Sequence, residues 1–306
     1  LVTHAVLPSW QNGATRTAII DFLDRVDEIP PDERVAVFDN DGTMWCEKPN
    51  YPQLEFMLDE LRHAVDADPS VAERAEFQAI LAGDRDTIGQ LGLERIALAL
   101  VDLHAGLTPE QFNDRVARFF ADARHPDRGV PYRQQRYQPM LELIDELRSR
   151  GFDVYIVSAG GAEFVRVIGG EFYDVKPEGV VGSQIDYEVG RTDDGALQLI
   201  RTGRLVAGGP NEGAGKPPNI QRLLGRRPVV AGGNSAGDAE MLEFAQAYDG
   251  PSLALLVDHD DAEREYEYAS RAGTFDTDET ILETAARLGW VVASIRNDWS
   301  TVFADS

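Results

Sequence analysis

Hydrophobic residues along this chain follow two alternating patterns, one typical of short buried strands and the other typical of amphipathic helices. Residues 35–38 form an apolar run that ends abruptly at Asp39-Asn-Asp41-Gly-Thr43. The run is too short for a typical helix, and its β-branched and aromatic residues favour a buried strand. Further strands are predicted at 154–157, 228–231 and 253–257, with helical spacing between them. Strands that alternate with helices predict an α/β fold with a parallel sheet covered by helices on both faces.

A long helical region interrupts this alternation. From about residue 52 to residue 123, apolar residues recur at helical spacing, and no convincing strand divides them. Thr108-Pro-Glu-Gln111 has the sequence of a capping box with proline at the first helical position. A purely helical segment directly after one strand predicts a second, smaller domain over the sheet edge. We therefore expect an α/β core formed by 1–46 and 138–306, and a helical insert formed by 47–137.

The remaining segments are predicted with less distinctive patterns. In chain order they are an irregular arm at 1–13, a helix around 19–26, short strands within 175–206 with turns at 193–195 and 202–203, a helix near 261–270, and a helix–strand pair at 278–294. Together with the strands above, they complete the α/β alternation.

Composition restricts the possible partners. The formal net charge of −24 over 306 residues disfavours nucleic acid or an anionic membrane as a partner. A small anionic substrate stays compatible with this charge, because a bound metal can reverse the local field. Cys46 is the only cysteine, so an intrachain disulfide is impossible and the compartment is not fixed. No apolar run approaches the length of a membrane span.

The first residue is Leu1 rather than Met, so removal of an initiator, tag or targeting segment stays open. We expect a cytoplasmic location, and the sequence leaves the oligomeric state open.

The acidic pair after the first strand is the strongest candidate for chemistry. Open α/β sheets bind ligands at the carboxyl ends of their strands, where Asp39 and Asp41 are expected to lie. Paired carboxylates are costly to bury without a counter-cation, so a metal ion is the expected partner. An EF-hand calcium loop is excluded, because its first and last ligands would be Val37 and Lys48. Taken alone, the stretch is also compatible with a solvated turn.

Polar residues follow or precede three other predicted elements. They are Ser158 after a strand, Lys216 before a helix, and Asn234 with Asp238 after another strand. Residues 213–216 are not a P-loop, because Pro217 stands where Ser or Thr should bind magnesium. Residues 232–237 are not a dinucleotide fingerprint, because Asn234 occupies the middle glycine position. Because these two phosphate-binding motifs are excluded, the polar residues at the strand and helix ends indicate a different kind of phosphate chemistry.

The order of these pieces resembles the haloacid dehalogenase superfamily of phosphatases, most closely its phosphoserine-phosphatase-like branch with a helical cap. Its four motifs are matched in order by Asp39 to Thr43, by Ser158, by Lys216, and by Asn234 with Asp238. The resemblance covers roughly 1–46 and 138–306, and it implies a Rossmann-like core. The helical insert fits the position of the family's cap, after the first motif.

The resemblance also implies a role for each matched residue. Asp39 would attack phosphorus and form an aspartyl-phosphate, while Asp41 would act as general acid and then as general base. Lys216 would neutralise charge on the nucleophile and the phosphoryl group. Phosphoryl oxygens would be bound by Ser158, Ala159 and Gly160. Mg²⁺ would be held by the Asp39 carboxylate, the Asp41 backbone carbonyl and the Asn234 amide, with Asp238 orienting water ligands or Lys216.

The expected function is therefore a Mg²⁺-dependent phosphomonoester hydrolase that acts on a small phosphorylated metabolite. Asn234 stands where the family commonly has an acid, so we expect weaker metal affinity with activity retained. Asp41 argues against a dehalogenase, whose leaving group needs no proton. A phosphomutase of the same fold and a non-catalytic binding domain stay open as alternatives.

Two neighbouring regions have open roles. Trp45, Cys46 and Glu47 follow the acidic pair and are candidates for the substrate entrance, with packing favoured for Trp45 and a catalytic thiol disfavoured for Cys46. The basic residues of 124–136 are expected to form either a solvated linker or a surface that faces an anionic substrate.

Overall fold

A six-stranded parallel sheet forms the centre of the computed structural model, which describes residues 6–305. Its order is β3-β2-β1-β6-β7-β8, and each adjacent pair is parallel. The strands are β1 (Val35–Phe38), β2 (Asp153–Gly161), β3 (Val180–Ser183), β6 (Val230–Gly233), β7 (Leu253–Asp258) and β8 (Val291–Ser294); β4 (Ile185–Arg191) and β5 (Leu197–Leu205) form a separate antiparallel pair. The α/β fold class expected from the sequence is confirmed.

Helices bury both faces of this sheet. In β1, Ala36 and Phe38 pack into one hydrophobic cluster, while Val35 and Val37 pack into another on the opposite face. The continuous apolar run follows from this two-sided burial. One face is covered by α1 (Ala14–Leu23), α7 (Gln138–Ser149) and α8 (Ala162–Tyr173), and the other by α9 (Lys216–Leu224), α10 (Ala239–Gln246) and α11 (Ile281–Leu288). A last short helix, α12 (Ile295–Asp298), follows β8.

The described helical insert contains five α-helices, and its helical character agrees with the predicted periodicity. They are α2 (Pro52–Ala67), α3 (Ala75–Ala82), α4 (Arg85–Leu91), α5 (Leu93–Asp102) and α6 (Pro109–Asp122). The capping box at Thr108 and Gln111 is confirmed. Leu61, Phe77 and Leu100 belong to a small core within the insert, whereas Phe56 and Phe112 join the large cluster beside the sheet. The insert therefore packs on the α/β core; its boundaries after 46 and before 138 stay a prediction.

One of the two turns predicted within 175–206 is wrong. The turn at 193–195 joins β4 to β5, but Thr202 and Gly203 lie inside β5. Gly203 has φ +71°, and a Cβ there would come within 2.8 Å of the Asp102 carboxylate. Glycine is needed here because the strand passes close to the end of α5, and the Thr-Gly pair does not mark a turn.

The helix predicted near 261–270 is also wrong. The Asp261 side chain accepts hydrogen bonds from the N–H groups of Glu263 (3.2 Å) and Arg264 (3.1 Å), which closes a single turn. The Tyr268 N–H then donates to the His259 carbonyl at 3.0 Å, and the Glu265 side chain turns into the interior. Tertiary hydrogen bonds outweigh the local helical pattern in this segment.

The first five residues of the predicted arm lie outside the described residues. Further along the arm, Trp10 forms an isolated antiparallel bridge with Trp299.

Within 124–136, Arg128 donates to the Arg264 carbonyl at 2.9 Å and Arg136 to the Phe172 carbonyl at 2.9 Å. These arginines therefore have structural partners. Across residues 6–305, the helices are too short or too polar to cross a membrane.

A close approach between β3 and the start of α8 gives a stability prediction. A Cβ on Gly182 would lie 2.8 Å from the Ala162 backbone and 2.9 Å from the Gly160 carbonyl. We expect Gly182→Ala to lower the free energy of unfolding by about 1–3 kcal/mol in urea titrations, because backbone atoms cannot yield as a side chain can. Gly170→Ala is the control, since α8 has open space there, and it should stabilise by about 0.5–1 kcal/mol. Equal effects would contradict this account.

Candidate active site

The carboxyl ends of β1, β2 and β6 meet where the order of the strands changes direction. β1 lies between β2 and β6: the chain first adds β2 and β3 on one side of β1 and later adds β6, β7 and β8 on the other side. The Asp39 N–H donates to the Gly232 carbonyl at 2.9 Å, so β1 and β6 stay joined up to the acidic pair. Such a switch point forms a crevice in which open α/β sheets bind ligands.

Lys216 joins three of the separated strand and helix ends. Its Nζ donates to Asp39 Oδ1 at 2.7 Å and to Asp238 Oδ1 at 2.6 Å. A third bond, of 2.9 Å, goes to the Val157 carbonyl in β2. Lys216 is only 1% exposed, so all three donors of its ammonium are used inside the protein.

Asp238 is fixed by the turn that follows β6. Its Oδ2 accepts the N–H groups of Asn234 and Ser235, each at 3.0 Å. Because Oδ1 is bonded to Lys216, both carboxylate oxygens are held. The turn thereby fixes the direction in which Asn234 enters the site.

Negative charge exceeds positive charge in this cluster. Burial and the neighbouring Asp238 raise the pKa of Asp39, although Lys216 opposes the shift. Burial alone would lower the pKa of Lys216, but the two carboxylates outweigh it and raise that pKa. Lys216 is therefore charged, and one ammonium is shared between two carboxylates.

Asp41 lies beside this cluster with a different environment. Burial raises its pKa to about 7, and the Glu47 carboxylate adds to the shift. Trp45 Nε1 donates to Asp41 Oδ1 at 2.9 Å, which fixes the carboxyl group. A carboxyl group with a pKa near neutrality can both give and take a proton. Trp45 itself is fully buried, so its main role is packing.

Asn234 packs closely on Gly42 with part of its amide unpartnered. Asn234 is buried, and its Nδ2 has no hydrogen-bond partner. A Cβ on Gly42 would lie 2.1 Å from that atom and 3.0 Å from Glu47 Cδ, so only glycine lets the Asn234 amide approach the loop this closely. The Asn234 amide can present either atom; with the amide turned over, Nδ2 would donate to Thr43 and Oδ1 would face Gly42.

The donor set fits a hard divalent cation that takes oxygen ligands. Within residues 6–305, no three His, Cys, Asp or Glu side chains are grouped as a metal site. A cation would therefore need the Asp41 carbonyl and the Asn234 amide in addition to Asp39. The excess negative charge and the unpartnered amide both favour it. A cavity of about 660 Å³ borders Asn234 at the ends of β6 and β7.

The last residues of β2, Ser158 to Gly161, form a tight irregular loop directly before α8, where the register with β3 shifts. The Gly160 N–H donates to Ser158 Oγ at 2.9 Å, and Asn211 Nδ2 donates to the Ser158 carbonyl at 2.9 Å. The Ser158 O–H keeps its own hydrogen for another acceptor. Gln53, at the start of α2, accepts the Gly161 N–H at 2.9 Å. The helical insert therefore reaches this loop.

The structure thus brings the predicted site residues to one edge of the sheet, with Asp39, Lys216 and Asp238 in direct contact. Sequence reasoning missed Gln53 and His259, whose Nε2 contacts the Gly42 carbonyl at 2.8 Å. His259 directly follows β7, so the rule about strand ends could have identified it. Cys46 is buried, and burial raises its pKa well above the usual range, which disfavours a reactive thiolate.

Comparisons with known proteins agree with this arrangement. A sequence model described as haloacid dehalogenase-like hydrolase matches residues 36–243, well over half of the chain. A comparison with curated proteins found no match.

Solved structures show the same fold. A conserved protein of unknown function from Anaerococcus prevotii DSM 20548 is 16% identical, with a TM-score of 0.55 over 84% of this chain and 89% of that chain. A protein of unknown function from Bordetella pertussis Tohama I is 18% identical, with a TM-score of 0.54 over 85% of this chain and 97% of that chain. At such identities these two likenesses show the fold alone.

The raised pKa of Asp41 predicts a pH-dependent stability. The folded protein retains this proton up to about pH 7, whereas the unfolded chain releases it near its ordinary value of about 3.9. The stabilisation from this proton is therefore complete below the unfolded pKa and is lost as the pH rises through about 7. Without divalent cations, the Tm of Asp41→Asn minus that of wild type should rise from pH 4 to 7 and then level off.

The control is Asp21→Asn, on the exposed face of α1, whose Tm difference should stay flat over this range. A flat profile for Asp41→Asn as well would show that Asp41 is not shifted in the folded protein.

Proposed function

This chain belongs to the haloacid dehalogenase-like hydrolase family, and we propose that it is a Mg²⁺-dependent phosphomonoester hydrolase acting through an aspartyl-phosphate. The observation that carries the proposal is the buried Lys216 ammonium between Asp39 and Asp238, at 2.7 and 2.6 Å. This contact holds the Asp39 carboxylate at the carboxyl end of β1 and opposes the rise in its pKa that burial and Asp238 cause.

In the first step, a carboxylate oxygen of Asp39 attacks the phosphorus atom of the substrate. An oxygen–phosphorus bond forms to Asp39 while the bond from phosphorus to the ester oxygen breaks. The leaving alkoxide takes the proton of Asp41, whose pKa of about 7 keeps much of it protonated at neutral pH. Trp45 holds the Asp41 carboxyl group in one orientation during this transfer.

In the second step, water attacks the phosphorus atom and releases Asp39. The Asp41 carboxylate, now without its proton, takes one from the attacking water. The bond between phosphorus and Asp39 breaks, and inorganic phosphate leaves. Lys216 neutralises the charge that returns to Asp39.

The metal ligands would be the Asp39 carboxylate, the Asp41 backbone carbonyl and the Asn234 amide oxygen, with Asp238 holding the turn that presents Asn234. When bound, Mg²⁺ supplies positive charge that offsets the phosphoryl oxygens. Ser158 keeps an O–H free for a phosphoryl oxygen, and the Ala159 N–H follows it in the chain; the Gly160 N–H donates to Ser158 Oγ and would have to leave that bond to reach a phosphoryl oxygen. These roles stay proposals.

A small phosphorylated metabolite is the proposed substrate. The hydrogen bond from the Gly161 N–H to Gln53 supports this, because it brings the insert to the irregular end of β2. A covered site excludes water and large macromolecules, which suits a small ester. The net charge of −24 also disfavours nucleic acid and anionic membranes as partners. The cytoplasmic location stays a prediction.

Replacing the proposed nucleophile gives the main test. Asp39→Asn should lower phosphate release from a panel of phosphorylated metabolites by at least about 1000-fold, because the amide cannot attack phosphorus. EDTA should stop release by the wild type, and added Mg²⁺ should restore it. Asp21→Asn is the control for the charge change. Full activity of Asp39→Asn would refute the mechanism, and a product with phosphate moved within the substrate would instead indicate a phosphomutase.

The amide at position 234 gives a second prediction. Asn234→Asp should bind Mg²⁺ about 10-fold more tightly in calorimetric titrations, because a carboxylate adds a full charge to the ligand set. Gln221→Glu, which changes the charge at an exposed position of α9 outside the proposed ligand set, is the control. Unchanged affinity in Asn234→Asp would remove Asn234 from the proposed metal site.

A further inference from the structure

Glu265 is a buried carboxylate that the proposed mechanism does not use. Its Oε1 accepts hydrogen bonds from Tyr137 Oη at 2.9 Å and from Cys46 Sγ at 3.1 Å. Its Oε2 accepts the Tyr266 N–H at 2.7 Å and faces His259 Nδ1 at 3.0 Å. Burial alone would raise the pKa of Glu265, but these donors lower it. Glu265 is therefore an ionised group whose oxygens are all engaged.

His259 connects this carboxylate to the loop after β1. Its Nε2 lies 2.8 Å from the Gly42 carbonyl oxygen, which can only accept a hydrogen bond. On the other side of the imidazole ring, the ionised Glu265 carboxylate can also only accept a hydrogen bond. The two ring nitrogens therefore each face an acceptor, one on Gly42 and one on Glu265, so the imidazole bridges the loop and the buried carboxylate. The Tyr268 ring stacks on His259 with centroids 4.4 Å apart and fixes the plane of the imidazole.

Two donors to Glu265 lie where the chain passes between the core and the helical insert. Cys46 immediately precedes the insert, and Tyr137 is its last residue. The Cys46 N–H also donates to the Gln135 carbonyl at 2.9 Å, so the two passages run side by side. One carboxylate oxygen thus holds both connections of the insert.

Gly42 is the point where this network meets the proposed catalytic residues. It directly follows Asp41, and its N–H donates to the Trp45 carbonyl at 2.9 Å. With its carbonyl held by His259, both polar groups of Gly42 are fixed. We infer that Glu265 and His259 form a hinge clamp, which couples the two connections of the insert to the loop carrying Asp39 and Asp41. They are positioning residues, and their effect on catalysis rests on the proposed function.

The insert offers a matched control for this clamp. Glu60 Oε2 lies 3.6 Å from His104 Nε2, so a second buried histidine faces a carboxylate. That pair lies on α2 and just after α5, and its other contact is with Arg115. Glu60→Gln thus removes a carboxylate beside a buried histidine without touching the loop after β1.

Hydrogen exchange tests the coupling without relying on activity. We expect Glu265→Gln and His259→Phe to speed amide exchange in peptides covering residues 39–46 by about 10-fold, since the loop loses its anchor. His259→Phe keeps a ring against Tyr268, so the lost donor is isolated. Glu60→Gln should leave these peptides unchanged. Exchange at 39–46 equal to wild type in both clamp variants would overturn the inference, whatever reaction the protein catalyses.

Kinetics and metal binding then separate a positioning role from simple packing. His259→Phe should lower kcat about 100-fold, because small misplacements at an active site cost this much, and should weaken Mg²⁺ binding about 10-fold in calorimetry. His259→Gln retains an N–H for Gly42 and should recover most of both. A lowered Tm with kcat and Mg²⁺ affinity at wild-type values would refute the clamp. A wild type without phosphatase activity would refute the proposed function alone, and hydrogen exchange would still decide the clamp.

Milder variants cover the possibility that Glu265→Gln does not fold. Tyr137→Phe and Cys46→Ala each remove one donor and keep the surrounding packing. The double variant should speed exchange at 39–46 about 10-fold, and each single variant should do so by less. No change in the folded double variant would show that Glu265 does not couple the connections of the insert to the loop.

Discussion

The Lys216 ammonium between Asp39 and Asp238 is the interaction on which the site depends. It lies at 2.7 and 2.6 Å from two buried carboxylates and bonds a carbonyl of β2 as well. Burying these charges separately would cost several kcal/mol each, so the arrangement is stable only when all three meet. The ends of β1 and β2, the start of α9 and the turn after β6 must therefore converge. The convergence also leaves unbalanced negative charge, which is the electrostatic condition for binding a cation.

The loop after β1 is held from two directions. On the side of the sheet, Asp39 continues the pairing with β6 through its own N–H. On the opposite side, Gly42 is bonded to Trp45 and to His259. Pre-organised groups lose less free energy during reaction than mobile ones, so such support suits a site whose charges must stay in place. The helical insert shares this support, because both of its connections reach Glu265.

The insert and the β4–β5 hairpin together bound the open side of the sheet. Arg201 of β5 is buried, pairs with Glu163 at the start of α8, and donates to the His104 carbonyl of the insert. Gln53 reaches the irregular end of β2 from another part of the insert. The hairpin was not expected in this position, because its alternating pattern shows a strand but not the surface on which the strand packs.

The sequence alone determined the α/β alternation, the helical insert and the residues at the strand ends. These features are local: a two-sided apolar strand, an amphipathic helix and a capping box each require only neighbouring residues. The sequence pattern wrongly predicts a helix after β7. It also assigns no role to Glu265 or Gln53, because the partners of these residues are distant in the chain. Only the tertiary structure decided that Lys216 contacts both Asp39 and Asp238, and that Glu265 turns inward to His259. Hydrogen bonds between distant residues follow from packing, and no local pattern encodes them.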